Sequence, residues 1–175
     1  AFASRLCYGV LQNRAFLDDR LGLFCTQRID HLEAPVREVM RLGAYQILLM
    51  DRVPDSAAVS ESVEQIRRVG KPQAAGIVNA VLRKLAANKE QLPPIKGRTP
   101  AERLSVQYSH PHWLTLRLVS LLGEAETEQF LAENNTPVPM TAQINPLKTT
   151  EENCLAALQS AGVTVQAHPW LRGCY

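Results

Sequence analysis

At 175 residues, with 46% hydrophobic and 21% charged side chains, the chain has the composition of an ordinary globular protein and enough length for one domain or two small ones. No apolar run reaches the roughly 18 residues of a membrane-spanning helix and no signal peptide is seen at the chain's start, so a cytoplasmic location away from membranes is expected. The net charge of +2 is uneven: residues 1–98 carry 15 Lys and Arg against 10 Asp and Glu, residues 99–175 only 4 against 7.

The chain opens inside a helical pattern of Phe2, Leu6, Val10 and Leu11, without an initiator methionine, so an upstream continuation is expected. Leu17, Leu21 and Phe24 predict a second helix with Asp18 and Asp19 at its N-terminal end. The stretch from Val36 to Leu85 organises the rest. Val36, Val39, Met40, Gly43, Ile47 and Met50 form a stripe behind Pro35, and Arg52-Val53-Pro54 ends it. Ala58, Val59, Val63 and Ile66 predict a helix closing at Gly70, where a left-handed cap is easily made. After Pro72, Ile77, Val78, Val81, Leu82 and Leu85 give another stripe, with Gly76 leaving room for a neighbouring helix. These elements predict an all-α bundle over residues 1–88.

Residues 89–98, with Pro93-Pro94, Gly97, Lys96 and Arg98, read as a linker. A helical connector comes next over 99–136. It starts at the capping box Thr99-Pro100-Ala101-Glu102 and continues past Ser109-His110-Pro111, a helix start, into a helix bearing Trp113, Leu114, Leu116, Leu118 and Leu121. Trp113 is expected to anchor this part on the bundle. Over 137–175 the period changes: strand Met140–Asn145, a helix capped by Thr149 and Glu152, and strand Val163–Gln166. Two strands make a weak sheet, so this α/β subdomain is expected to be incomplete and to continue past Tyr175. The predicted fold class is mainly α: a helical bundle, a helical connector and a small, incomplete α/β subdomain.

The segment from Arg67 to Arg98 concentrates positive charge, with Arg67, Arg68, Lys71, Arg83, Lys84, Lys89, Lys96 and Arg98 against Glu90. Such a cluster can neutralise phosphates, which predicts a nucleic-acid contact; the plainer reading is a solvated face. Asn79, between Val78 and Val81, reads as a buried amide fixing helix packing, with Arg83 one turn on within reach of it. Cys7 and Cys25 read as small core residues, and the four cysteines show no metal-ligand or disulfide spacing. His110 and His112 lack a third ligand, so no metal is expected. Tyr108 and Trp113 read as packing residues before base-stacking ones. No glycine-rich loop after a strand and no catalytic triad is present, so no catalytic or cofactor-binding residue is assigned.

The run RLGAYQILLMDRVPDSAAVSESVE followed by VNAVLRKL resembles the NusB-like RNA-binding domain at the front of the Sun, or RsmB, type of ribosomal RNA cytosine-5 methyltransferases. YSHPHWLTLRL and PMTAQIN resemble the segments that come after that domain in the same enzymes. The resemblance implies binding of small-subunit ribosomal RNA and a catalytic domain beyond these segments as the second partner. That domain holds S-adenosylmethionine and attacks the cytosine with the thiolate of a Pro-Cys motif. This chain has no Pro-Cys, so on its own it is expected to be inactive. Where the family commonly has arginine before the last two residues of L-R-V-N, this chain has Gln143, while Asn145 matches and reads as structural. The rival readings are a free-standing antitermination factor like NusB and a protein-docking module.

Overall fold

The computed structural model describes residues 2–137 and 140–175, which form two compact units divided after Asn135. In the first, the helices are α1 Phe2–Gln12, α2 Arg14–Gly22, α3 Ala34–Leu49, α4 Asp55–Arg68, α5 Ala75–Asn88, α6 Pro100–Gln107, α7 His112–Leu122 and α8 Glu124–Asn134. The second contains α9, Glu151–Ser160. The fold is mainly α.

The predicted stripes become the core. Met40, Ala44 and Ile47 of α3 meet Ala58, Val59 and Ile66 of α4 and Val78, Val81, Leu82 and Leu85 of α5, with Leu17 and Leu21 of α2 closing the cluster. The close approach lies at Gly43, where an added Cβ would stand 2.5 Å from Leu82 Cδ1 and 2.6 Å from Ser62 Oγ. Gly76, expected to play that part, has open space beside it. It is exposed, because the stripe of α5 faces the other way.

Residues 89–98 are mostly exposed but tied to the bundle at several points. Arg20, 4% exposed, donates to the Pro93 carbonyl at 2.6 Å, pairs with Asp19 at 2.8 Å and lies over the Phe16 ring. The Phe16 amide donates to Ser109 Oγ at 3.0 Å, tying the end of α6 to α2. Prolines and Gly97 break the helix here without releasing the chain from the bundle, so the compact unit runs on to Asn135. Asp18 and Asp19 sit in the middle of α2 rather than at its start, because the helix begins at Arg14. Their role is pairing with arginines.

Thr99 caps α6 by accepting from the Glu102 amide, and Glu102 in turn accepts from the Arg98 amide at 2.8 Å. Ser109-His110-Pro111 closes α6 before α7 begins. Ser109 takes the left-handed conformation (φ 53°), its amide donates to the Val106 carbonyl, and the His110 amide donates to the Ser105 carbonyl. Leu104 and Leu131 are buried with Thr115 and Thr127 between α6, α7 and α8. Trp113 does not anchor this layer: it is 70% exposed, because Thr115 occupies the inward face of α7. Cys7 is likewise exposed, off the inward face that carries Gly9 and Val10.

Arg103 bridges to Glu124 at 3.1 Å and Glu128 at 2.9 Å, and Glu128 also accepts from Gln107 and Tyr108. The Arg103 hydrogen bond, only partly opposed by burial, holds the Glu128 carboxyl below its ordinary pKa of 4.5. A depressed folded-state pKa contributes stability above the unfolded value and loses it as pH falls through the folded one. Acidification below about pH 4.5 is therefore expected to lower the melting temperature. Glu128→Gln should flatten that acid limb; an unchanged limb would remove Glu128 from it.

In the second unit, Thr150 caps α9 by accepting from the Asn153 amide at 3.4 Å, one residue later than predicted, because Thr149 is hydrogen-bonded to Asn145. The two predicted strands are not formed among the described residues. Gln143 instead bridges antiparallel to Cys174, with Ala142 and Tyr175 exchanging amide bonds at 2.8 and 3.0 Å. The partner of the 142–144 segment is the 173–175 segment, so Val163–Gln166 has no ladder to join. Asn145 accepts from the Leu147 amide at 3.0 Å, a turn that ends the paired segment.

Candidate nucleic-acid interface

Helices α4 and α5 run antiparallel. The cap at Gly70 (φ 79°) and a 3-10 turn over Pro72–Ala74 join them at one end. The pair Lys89–Asp55, at 2.9 Å, ties them at the other. Between them lies an open groove of about 520 Å³. Its apolar floor is Val59, Val63 and Ala86; Arg67, Asn79 and Arg83 bring nitrogen donors to it, and Asp55, Glu61 and Glu64 bring carboxylates.

The predicted basic residues fall into distinct settings. Arg67 and Arg83 line the groove. Arg68 pairs with Glu64 at 3.2 Å, with Arg67 a weaker partner of the same carboxylate at 3.8 Å. Lys71 pairs with Glu33 at 2.5 Å. Lys84 is exposed on α5, one position past Arg83. Lys96 is exposed on the 89–98 segment, and Arg98 lies beside Glu102 at 3.5 Å; neither lines the groove. Asn79 is not a buried packing amide. It is half-buried on the groove wall, and its Oδ1 accepts from Arg83 Nε at 2.9 Å.

The acidic wall is not legible in the sequence as part of the site. Ser56, Ser60, Val63 and Arg67 recur at three- and four-residue steps, which marks one face of α4, but nothing local says that this face opposes Arg83.

A second groove, of about 640 Å³ beside α2, is lined by Asp18, Asp19, Arg28 and Asp30 with Cys25, and each of these carboxylates is paired with an arginine. Burial raises the pKa of the Cys25 thiol, away from nucleophilic use. His110 has both ring nitrogens engaged: Nδ1 lies 2.8 Å from the Tyr108 carbonyl, and Nε2 2.8 Å from the Asn134 side-chain nitrogen. The tautomer with hydrogen on Nδ1 satisfies both. Among the described residues no His, Cys, Asp and Glu group is placed to hold a metal ion, and no helix is long and apolar enough to cross a membrane.

The NusB family profile matches residues 1–87, and the profile of the Methyltr_RsmF/B-like, ferredoxin-like domain matches residues 110–174. The "Probable ribosomal RNA small subunit methyltransferase B" of Synechocystis sp. is 32% identical over 168 residues, 95% of this chain and 37% of that protein. The "Ribosomal RNA small subunit methyltransferase B" of Escherichia coli K12 is 31% identical over 163 residues, 93% of this chain and 36% of that protein. The chain carries a NusB domain followed by an RsmF/B-like ferredoxin-like domain, and Sun/RsmB-type relatives align along nearly its whole length. The Bacillus subtilis relative, 29% identical, aligns over 93% of this chain and 36% of its own length. This chain thus spans little more than a third of the curated relatives it matches. The crystal structure of PH0851 shares the fold, with a TM-score of 0.65 at 21% identity over 98% of this chain and 38% of that one. Within the Sun/RsmB family pattern, the α4–α5 groove lies wholly in the NusB match, whereas Ser109 falls just before the ferredoxin-like match.

Proposed function

We infer that this chain captures ribosomal RNA of the small subunit, in the cytoplasm, for a methyltransferase that uses S-adenosylmethionine to form 5-methylcytosine. The chain's part is recruitment and positioning. The observation that carries this reading is the exposed positive charge of Arg67, Arg68 and Lys84 around one open groove of a NusB-family domain. Exposed cations exchange hydration and counterions for phosphate at little cost, and counterion release then drives binding. The described residues offer no strand followed by a glycine-rich turn to cradle S-adenosylmethionine, so none is assigned to it and no chemical step is derived through it. The reading assigns methyl transfer to a catalytic domain outside residues 1–175, the second partner of this region.

Filter binding to small-subunit ribosomal RNA across a salt series tests the reading. Arg67→Ala, Arg68→Ala and Lys84→Ala together are expected to weaken binding about tenfold or more and to lower the salt slope by about 2, since each phosphate contact to single-stranded RNA contributes about 0.7. Unchanged affinity and slope would remove this patch from the interface. The chain alone, with labelled S-adenosylmethionine and the same RNA, is expected to transfer no methyl group.

A protein-docking role is the second reading, and the exposed Trp113, Leu116 and Leu121 of α7 favour it. The match to the ferredoxin-like domain over 110–174 argues against a free-standing factor like NusB, whose resemblance stops near Leu85.

A further inference from the structure

The α4–α5 groove holds one side chain whose position is set and whose donor face is open. Arg83 Nε donates to Asn79 Oδ1 at 2.9 Å, which orients the guanidinium, and its two terminal nitrogens have no partner among the described residues. The antiparallel pairing of the helices sets Arg83 opposite the middle turns of α4, where Ser60, Glu61 and Glu64 line the other wall. Not all of the carboxylates are equally available. Asp55 is held by Lys89 at 2.9 Å, and Glu64 by Arg68 at 3.2 Å. Glu61 is exposed and, among the described residues, accepts only from the Gln65 amide at 3.5 Å. The groove therefore offers an arginine fork on one side, a carboxylate and a hydroxyl on the other with Arg67 beside Glu64 on that same helix, and Val59, Val63 and Ala86 between them.

That pattern disfavours phosphate, which Glu61 would repel, and suits a flat group bearing acceptors on one edge and donors on the other. Among the bases only guanine has both: O6 and N7 accept from an arginine fork, while N1–H and the N2 amine donate to a carboxylate. Bases unstacked from single strands are recognised in this way, on their edges and against apolar or guanidinium surfaces. We propose that the groove binds a guanine base splayed from a single-stranded RNA segment, with Arg83 reading O6 and N7, Glu61 accepting from N1–H and N2, and Asn79 as the positioning residue for Arg83. This rests on the reading of the chain as an RNA-binding region. It adds a sequence preference to what phosphate contacts alone leave sequence-blind.

The test is fluorescence anisotropy of the 175-residue chain with labelled uridine oligonucleotides carrying one central guanine, adenine, inosine or 7-deazaguanine. Guanine is expected to bind about tenfold tighter than adenine, with inosine, lacking the N2 amine, and 7-deazaguanine, lacking N7, in between. Arg83→Lys keeps the charge and loses the fork, so it should bring guanine down to the adenine level while leaving the all-uridine affinity and its salt slope in place. Asn79→Ala and Glu61→Gln should each reduce the guanine preference alone. Lys84→Ala with Lys96→Ala should weaken all the oligonucleotides alike and keep the preference. Equal binding of guanine and adenine by a chain that does bind RNA overturns the base site and leaves the RNA reading standing, as does full preference in Arg83→Lys. Failure to bind any oligonucleotide or ribosomal RNA, against capture of a protein partner, overturns both.

Discussion

Leu82→Ala is expected to lower the free energy of unfolding by about 3 kcal/mol, within the 2–5 kcal/mol typical of emptied leucine sites. Leu82 is fully buried, and its Cδ1 fills the space that Gly43 leaves where α3 crosses α4 and α5. Those helices are already in contact on either side of the gap, so they cannot close further to fill it. Deleting the side chain forfeits transfer energy and leaves a cavity. The denaturant midpoint should fall with an unchanged slope, because the surface exposed on unfolding is nearly the same. Leu82→Met, which conserves volume, is expected to cost less than about 1.5 kcal/mol. A loss under about 1 kcal/mol for the alanine variant would show that the crossing relaxes and that Gly43 does not set it. The effect reaches the groove as well, since Arg83 follows Leu82 on α5.

Arg41→Ala is expected to be the next largest loss, about 2–3 kcal/mol, below the 3–5 kcal/mol of a wholly buried broken pair because Asp18 keeps access to water. The Arg41 side chain is 9% exposed and its guanidinium grips Asp18 with two bonds, at 2.7 and 2.6 Å, and Glu38 with a third at 2.7 Å. Burial works against the charge, and the hydrogen bonds and field of Asp18 and Glu38 outweigh it, so the pKa of Arg41 lies above its ordinary value. The pair is the polar tie between α2 and α3. Truncating Arg41 leaves the Asp18 carboxylate facing the bundle without its cation. Asp18→Asn added to Arg41→Ala should restore part of the loss, and Arg41→Lys should restore little, because an ammonium cannot span both carboxylate oxygens. A urea double-mutant cycle measures the coupling; strict additivity would mean that the contact contributes nothing beyond its two side chains.

The helices α3, α4 and α5 are legible in the sequence because each has a 3.6-residue apolar stripe between clear stops, Pro54 and Gly70 among them. The cap at Thr99 is legible for the same kind of reason, since serine, threonine and their partners three residues on act locally. The place of Trp113 is not, because residue size does not decide which face of α7 meets its neighbours; Thr115 and Leu131 do. At Met140–Asn145 the alternation predicts a strand, of which only the bridge at Gln143 forms among the described residues, and it does not identify the partner. Alternation says that one face is covered and is silent on which segment supplies the hydrogen bonds.

For the candidate site the division rests on the same physics. The sequence by itself determined the helical bundle, its resemblance to the NusB-like domain and the concentration of positive charge after Arg67, because periodicity, local order and composition are properties of the chain. Only the tertiary structure decided which of those cations have a carboxylate partner at the surface, as Arg68 and Lys71 do in Glu64 and Glu33, and which keep an open donor face, as Arg83 does beside Asn79. Pairing across helices depends on crossing and register, which are set by core packing at Gly43 and Leu82 and not by the charges themselves.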